Sequence, residues 1–471
     1  MRVLQCGSVD YPGGHIYSID FHPSGKFLAT CGNDGGNGLV KKSNLQSIAN
    51  EDSLPMSSAS TATKKAKSIH KRYVVGEARF YTSNNNQNCV RWSRRGHWLA
   101  SCGDNSIIYF IKPKFDATTN KVSLNDLVNL AAHKMEVVHV DFSKNGKYMA
   151  SCSLDNTVII WSVEDQPQRI KVLDCNCEGH TNFVTGLAWD PADRYLATQS
   201  MDKTVKIWLC NNWECERTIQ GYFSNASRAS LFSRLDWSTD GAFLIATCAE
   251  NNGFQTAKLL IRKEFQDETD FVGFSGPVTC VRSNNRCVLY NDPIRGEVTA
   301  NLIAIGSVDQ SVSVWLLPFV NRPLCVIQNI FPDGVLDLAW HTTTLSIIGP
   351  NGSVRCIIFD DAEIGRFLSG REMCDHFDNL YSRIPTEYRT YQRDLNEDGG
   401  SEWIEKVLKD VHQPSEQLIA QATDLHNYVL CHPITPACPK CRDFNLRTRR
   451  ELDNKRLGSF IARLQNERDT K

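Results

Sequence analysis

The sequence predicts an all-β protein: a seven-bladed β-propeller over residues 1–360, followed by a short, partly helical C-terminal tail. Three observations carry that expectation. First, "HKMEVVHVDFSKNGKYMASCSLDNTVIIW" (133–161) and "HTNFVTGLAWDPADRYLATQSMDKTVKIW" (180–208) repeat one pattern 47 residues apart. Second, runs rich in Val, Ile, Leu and aromatics alternate with period 2, as half-buried strands do. Third, turn residues such as PSG, KNG, TDG and PNG punctuate those runs,.

The units fall in order along the chain. The first is "HIYSIDFHPSGKFLATCGNDG" (15–35) and the second "NCVRWSRRGHWLASCGDNSIIYFI" (88–111). The third and fourth are the strong pair. The fifth, "SRLDWSTDGAFLIATCAENNG" (233–253), runs on to "TAKLLIR". The sixth starts with "GPVTCV" at Gly276 and resumes after an insertion as "LIAIGSVDQSVSVW" (302–315). The seventh is "GVLDLAWHTTTLSIIGPNGSVRCIIF" (334–359). Equivalent residues Phe142, Trp189 and Trp237 stand 47 and 48 residues apart, near the propeller period of about 40–45. One such sheet cannot bury both faces, and a ring of them can. The N-terminal "RVLQCG" is expected to complete the last blade.

The strong pair contains Ser, His and Asp, the residue types of a hydrolytic triad. His133, Ser151, Asp155 and Trp161 recur as His180, Thr198, Asp202 and Trp208, with each His 22 residues before its Asp. The sixth unit keeps Asp309 and Trp315 at the same offset, with Ile305 in place of the hydroxyl. A triad needs neither a Trp at a fixed offset nor a copy in the next unit. A buried hydrogen-bond chain accounts for the Trp, because an indole N–H only donates and must find an acceptor. These residues are therefore expected to be structural, and no enzyme activity is expected.

The bulk properties fit. The 471 residues are 41% hydrophobic and 22% charged, with a net charge of −1. That balance gives no global basic field for nucleic acid, so any DNA contact is expected to be mainly indirect, through a local patch or a partner. No apolar run approaches the roughly 20 residues of a membrane span. The 18 cysteines are scattered, and several (Cys31, Cys102, Cys152, Cys248) sit in expected strands. Buried, reduced thiols in an intracellular protein are the expectation.

The repeat resembles the WD40 family. The irregular segments resemble something narrower. "GNDGGNGLVKKSNL", "NCVRWS", "TAKLLIRKEF", "DFVG", "NRPLCVI" and "LDLAW", in that order, are similar to the propeller of the HIRA/Hir family of histone chaperone subunits, over roughly residues 1–370. The resemblance implies a nuclear scaffold in replication-independent nucleosome assembly and transcriptional silencing. It implies histones, a ubinuclein-like subunit and further complex subunits as partners. A generic WD40 adaptor, such as a ubiquitin-ligase substrate receptor or an RNA-processing subunit, is the alternative. The tail leaves no room for both a long basic region and a second conserved domain, so the anti-silencing-factor chaperone is a doubtful partner.

Three segments lie outside the repeat. A flexible insertion is expected at about 41–80, containing the basic run "KKAKSIHKR", either an import signal or a solvated loop. A linker is expected over 361–400. The tail, 401–471, has helical spacing broken at Pro414. Its Cys431, His432, Cys438 and Cys441 contain one C-x2-C half-site for zinc,. Incidental thiols in a proline-stiffened loop are the alternative, and no other cofactor is expected. Leu457, Phe460, Ile461 and Leu464 form an amphipathic stripe on a segment with nine basic and five acidic residues,. A docking helix and a basic DNA-contacting arm both fit that stripe.

Overall fold

Period-2 alternation places every second side chain on one face of a strand. In the computed structural model those faces meet in a ring of antiparallel sheets. The structure describes residues 2–4, 15–33 except 26, 36–41, 78–81, 85–116, 121–223 except 165, and 231–381 except 264, 293–295 and 320–321. The chain divides into Met1–Asn396 and Glu397–Lys471. The second of these, with the expected zinc ligands Cys431, His432, Cys438 and Cys441 and the stripe 457–464, lies outside the described residues, as do the basic run 64–72 and most of the insertion 41–80.

The third sheet shows the plan. Its strands Val137–Phe142, Tyr148–Ser153, Val158–Ser162 and Gln168–Leu173 pair in chain order. The first strand is innermost, almost wholly buried, and the last faces outward. The fourth sheet repeats this with Val184–Trp189, Tyr195–Ser200, Val205–Leu209 and Cys215–Ile219. Sheets one, two and five follow the same order. In the last sheet, Arg2–Leu4 pairs antiparallel with Val354–Ile358, Val3 opposite Ile357. The N-terminus thereby supplies the outer strand and closes the ring.

Consecutive sheets share hydrophobic cores. Phe110, Phe142 and Trp161 pack between the second and third. Ile160, Trp189 and Trp208 pack between the third and fourth. Ile16, Phe21, Ile348 and Val354 join the first to the last. Burial of each large apolar side chain contributes roughly 1.5–3 kcal/mol, so these interfaces hold the ring. Indole N–H groups add ties along it. Trp189 donates to the Asp141 carbonyl (3.1 Å), and Trp340 to the Arg282 carbonyl (3.1 Å).

The expected all-β propeller class holds, and the plain seven-bladed count needs correction at the sixth unit. Among the described residues, six sheets are four-stranded and one has six strands. The expected insertion of the sixth unit adds strands to that sheet. Val288–Asp292 pairs with the extended start of Gly296–Ser307, Val288 opposite Ala300. The physical reason is that the insertion is itself strand-forming ("VLYND", "GEVTA") and continues a strand already in the sheet.

The segment expected as linker is also corrected over 361–381. A short helix, Asp361–Ile364, precedes a strand, Arg366–Phe367, which pairs with the inserted hairpin. A second helix, Gly370–Tyr381, follows. Ser369 and Glu372 cap it reciprocally: the Ser369 hydroxyl accepts the Glu372 N–H (3.3 Å), and the Glu372 carboxylate accepts the Ser369 N–H (2.8 Å),. Met373, Phe377 and Tyr381 recur every fourth residue and bury on Ala192, Cys287 and Leu368.

Candidate functional site

The repeated triad-like residues come together within single blades. In the third sheet the His133 Nδ1 is 3.0 Å from Asp155 Oδ2, and its Nε2 is 2.8 Å from Ser151 Oγ. Trp161 Nε1 donates to the same hydroxyl at 3.0 Å. Asp155 also accepts the N–H groups of Lys134 (2.8 Å) and Thr157 (3.0 Å). The fourth sheet repeats the chain through His180, Asp202, Thr198 and Trp208, with 2.7, 2.8 and 2.9 Å links. Burial works against each carboxylate. The hydrogen bond and charge of the His outweigh it and hold Asp155 and Asp202 below the usual range,. The Ser151 and Thr198 hydroxyls are buried and already accept an indole N–H. Neither is presented to a substrate.

The sixth sheet keeps only the turn end. Asp309 accepts the Ser275 N–H (2.8 Å) and the Ser311 N–H (3.0 Å). Phe274, just before Ser275, stands where the His stands elsewhere, and Phe274, Ile305 and Trp315 share one apolar cluster. The Trp315 indole donates instead to Ser313, at 2.8 Å.

The feature that sequence reasoning missed is on the axis. The innermost strands converge there, and their inward-facing positions carry polar and charged groups. One level holds Ser18, Cys89, His139, Arg234 and Asp337. Gly186 occupies this level in the fourth sheet, where a Cβ would collide with the Ser233 carbonyl. Arg91 binds Asp337 at 3.0 Å, and Arg234 and Arg282 stand 4.0 and 3.9 Å from the same carboxylate. Burial alone raises Asp337. Arg234, Arg91 and Arg282 reverse that and hold it far below the usual range. Ser18 donates to it as well, at 2.8 Å.

A second level, nearer one mouth of the channel, holds Asp20, Arg91, Asp141, Asp236 and Arg282. Asp20 accepts the Trp92 N–H (2.8 Å) and Asp236 the Ser283 N–H (2.8 Å), so each acid also lashes its sheet to the next. Burial pushes Asp20 up to about 6 against the pull of Arg91 and Arg282, and it raises Asp236 too. The mouth encloses about 190 Å³. All the sheets line it, as does Met373 from the helix Gly370–Tyr381. A signal was present: a charged residue next to the end of each of five expected inner strands, in "IDF", "VRW", "VDF", "LDW" and "VRS". Charge at one fixed strand position in most repeats points to a shared polar lining. Hydrogen-bonding and charged groups thus line the axial mouth, and the charges below it are paired with one another.

Comparison with known proteins fits this geometry. The model "WD domain, G-beta repeat" matches residues 7–36, 78–110, 125–162 and 171–208. The chain is 31% identical to Protein HIRA of Caenorhabditis elegans over 402 residues, which is 83% of this chain and 41% of that protein. It is 31% identical to Protein HIR1 of Cryptococcus neoformans over 366 residues, 74% of this chain and 38% of that one. It is 32% identical to the Drosophila melanogaster Protein HIRA homolog over 398 residues, 81% and 36%. The class is thus an all-β WD40-repeat propeller, a non-enzymatic scaffold. Through this propeller the chain belongs to the HIRA/Hir family. It spans about two fifths of the length of the relatives it matches.

Proposed function

We propose that this protein is a scaffold subunit of a HIRA-like histone chaperone complex. It acts in the nucleus, in replication-independent nucleosome assembly and transcriptional silencing. It works through protein–protein contacts with histones, a ubinuclein-like subunit and other complex members. The six-stranded sheet is read as one blade with an inserted hairpin, which makes a ring of seven.

One observation carries the reading. The repeat model stops matching at residue 208, while the similarity to HIRA covers 402 residues. The likeness therefore runs on through the fifth, sixth and seventh units, where the repeat is broken. A generic WD40 adaptor would share the regular blades and not these. Function cannot be taken from the fold alone, so partners decide it. The tagged full chain, used as bait in nuclear extract, is expected to recover histones and a ubinuclein-like subunit. Recovery of cullin-linked ligase components without histones would overturn the proposal.

A further inference from the structure

The helix Gly370–Tyr381 brings His376 down onto the fifth and sixth sheets. There it meets Asp240, in the first turn of the fifth sheet, and Cys287, at the start of the inserted hairpin. Asp240 and Cys287 are buried, at 5% and 0% exposure, and His376 is partly exposed. One ligand atom from each lies within 4.8 Å of the others.

The equivalent turn in the third sheet shows what Asp240 does not need to be. There Asn145 Oδ1 accepts the Ser143 hydroxyl (2.8 Å) and the Lys147 N–H (2.9 Å). Here Asp240 Oδ1 accepts the Ser238 hydroxyl (2.6 Å) and the Ala242 N–H (2.9 Å). An amide oxygen does the turn's work equally well, so the acid's second oxygen is surplus to the turn. That oxygen, Oδ2, faces Asn301 Nδ2 at 2.8 Å and His376 Nε2 at 3.4 Å. A buried carboxylate calls for a positive partner. The 3.4 Å separation from His376 is long for a charge-assisted N–H···O bond, about 2.7–2.9 Å. It is close to the edge of a tetrahedron with metal–ligand bonds of about 2.0–2.1 Å, roughly 3.3 Å.

We infer that Asp240, Cys287 and His376 form a zinc-type metal site that fastens the segment after the propeller to the fifth and sixth sheets. Thiolate, imidazole and carboxylate are the donors of borderline divalent cations, and a sulfur donor disfavours magnesium and calcium. Three protein ligands leave a fourth position for water. Binding displaces the Cys287 thiol proton to solvent, so affinity rises with pH. The proposal is independent of the chaperone reading.

Cobalt(II) is the probe, because thiolate-bound tetrahedral cobalt has visible d–d bands and a near-ultraviolet charge-transfer band. The full chain carries Cys438→Ser and Cys441→Ser so that the tail motif cannot contribute. After chelation and titration with cobalt, one equivalent is expected to bind with the thiolate band. Adding His376→Gln or Cys287→Ser is expected to weaken that binding at least tenfold. A cooperative melt checks that each variant is folded. If Cys287→Ser does not fold, the partly exposed His376→Gln decides alone. Absence of a thiolate-bound cobalt in the parent chain, or a band unchanged by His376→Gln, overturns the site and leaves an ordinary His376–Asp240 ion pair.

Discussion

The third and sixth sheets solve the same problem in opposite ways. Both keep an Asp six residues before a Trp, and in both the Asp accepts turn N–H groups. Behind that turn the third sheet buries a polar chain, His133 to Ser151 to Trp161. The sixth buries Phe274 and Ile305 and gives its indole a private acceptor, Ser313. A buried polar network is stable only when every member is satisfied. Replacing both partners by apolar groups costs little, whereas replacing one strands the other. The sixth sheet has replaced both. It is also the sheet that accommodates the inserted hairpin and the strand after the propeller.

That contrast can be broken or sharpened by substitution. The largest effect is expected for Asp155→Ala, which leaves His133 and two turn amides without their acceptor. It should lower unfolding free energy by roughly 1–3 kcal/mol in denaturant titration. Unchanged stability would show that the third sheet does not depend on its polar chain. Next comes Ser151→Ile, which strands both the His133 ring and the Trp161 indole, at a cost of about 1–2 kcal/mol. Copying the whole sixth-sheet solution, with His133→Phe, Ser151→Ile and Ile159→Ser together, should recover more than half of that loss. A triple variant less stable than Ser151→Ile alone would contradict the equivalence. Asp309→Ala removes only turn contacts near the surface and should cost less, about 0.5–1.5 kcal/mol.

The smallest effect is on acid stability. Asp155 and Asp202 are held below the usual carboxylate range in the folded chain. Their contribution is therefore full above an ordinary Asp value of about 4 and is lost as pH falls below it. The Asp155→Asn, Asp202→Asn double variant should lose less stability than the wild type between neutral and acid pH. Parallel curves for the two proteins would refute the assignment. Asp20 acts in the opposite sense, since its folded value rises to about 6. Its protonated form is favoured by folding, so that stabilisation is full below the ordinary value and is lost as pH rises through about 6.

Much of the fold was legible because it is local. Alternation, turn residues and the offsets from His to Asp to Trp are properties of one blade and repeat with it. They located the strands, the polar chains of the third and fourth sheets, and the N-terminal strand that closes the ring. The inserted hairpin and the 361–381 segment were passed over as insertion and linker. Their signals, a strand-like "VLYND" and a Ser369–Glu372 capping box before Met373 and Phe377, are single occurrences that no repeat reinforces.

What the sequence determined by itself was the class: repeated sheets that cannot bury both faces alone must stack on one another. What only the tertiary structure decided is where distant residues meet. Arg91, Arg234 and Asp337 lie in different blades, yet one buried carboxylate gathers the arginines on the axis. Asp240, Cys287 and His376 are likewise far apart in the chain and adjacent in space. A period describes neighbours along a strand. Radial closure creates neighbours between blades that are distant in the sequence, and the charges that face the axis meet only because the ring closes.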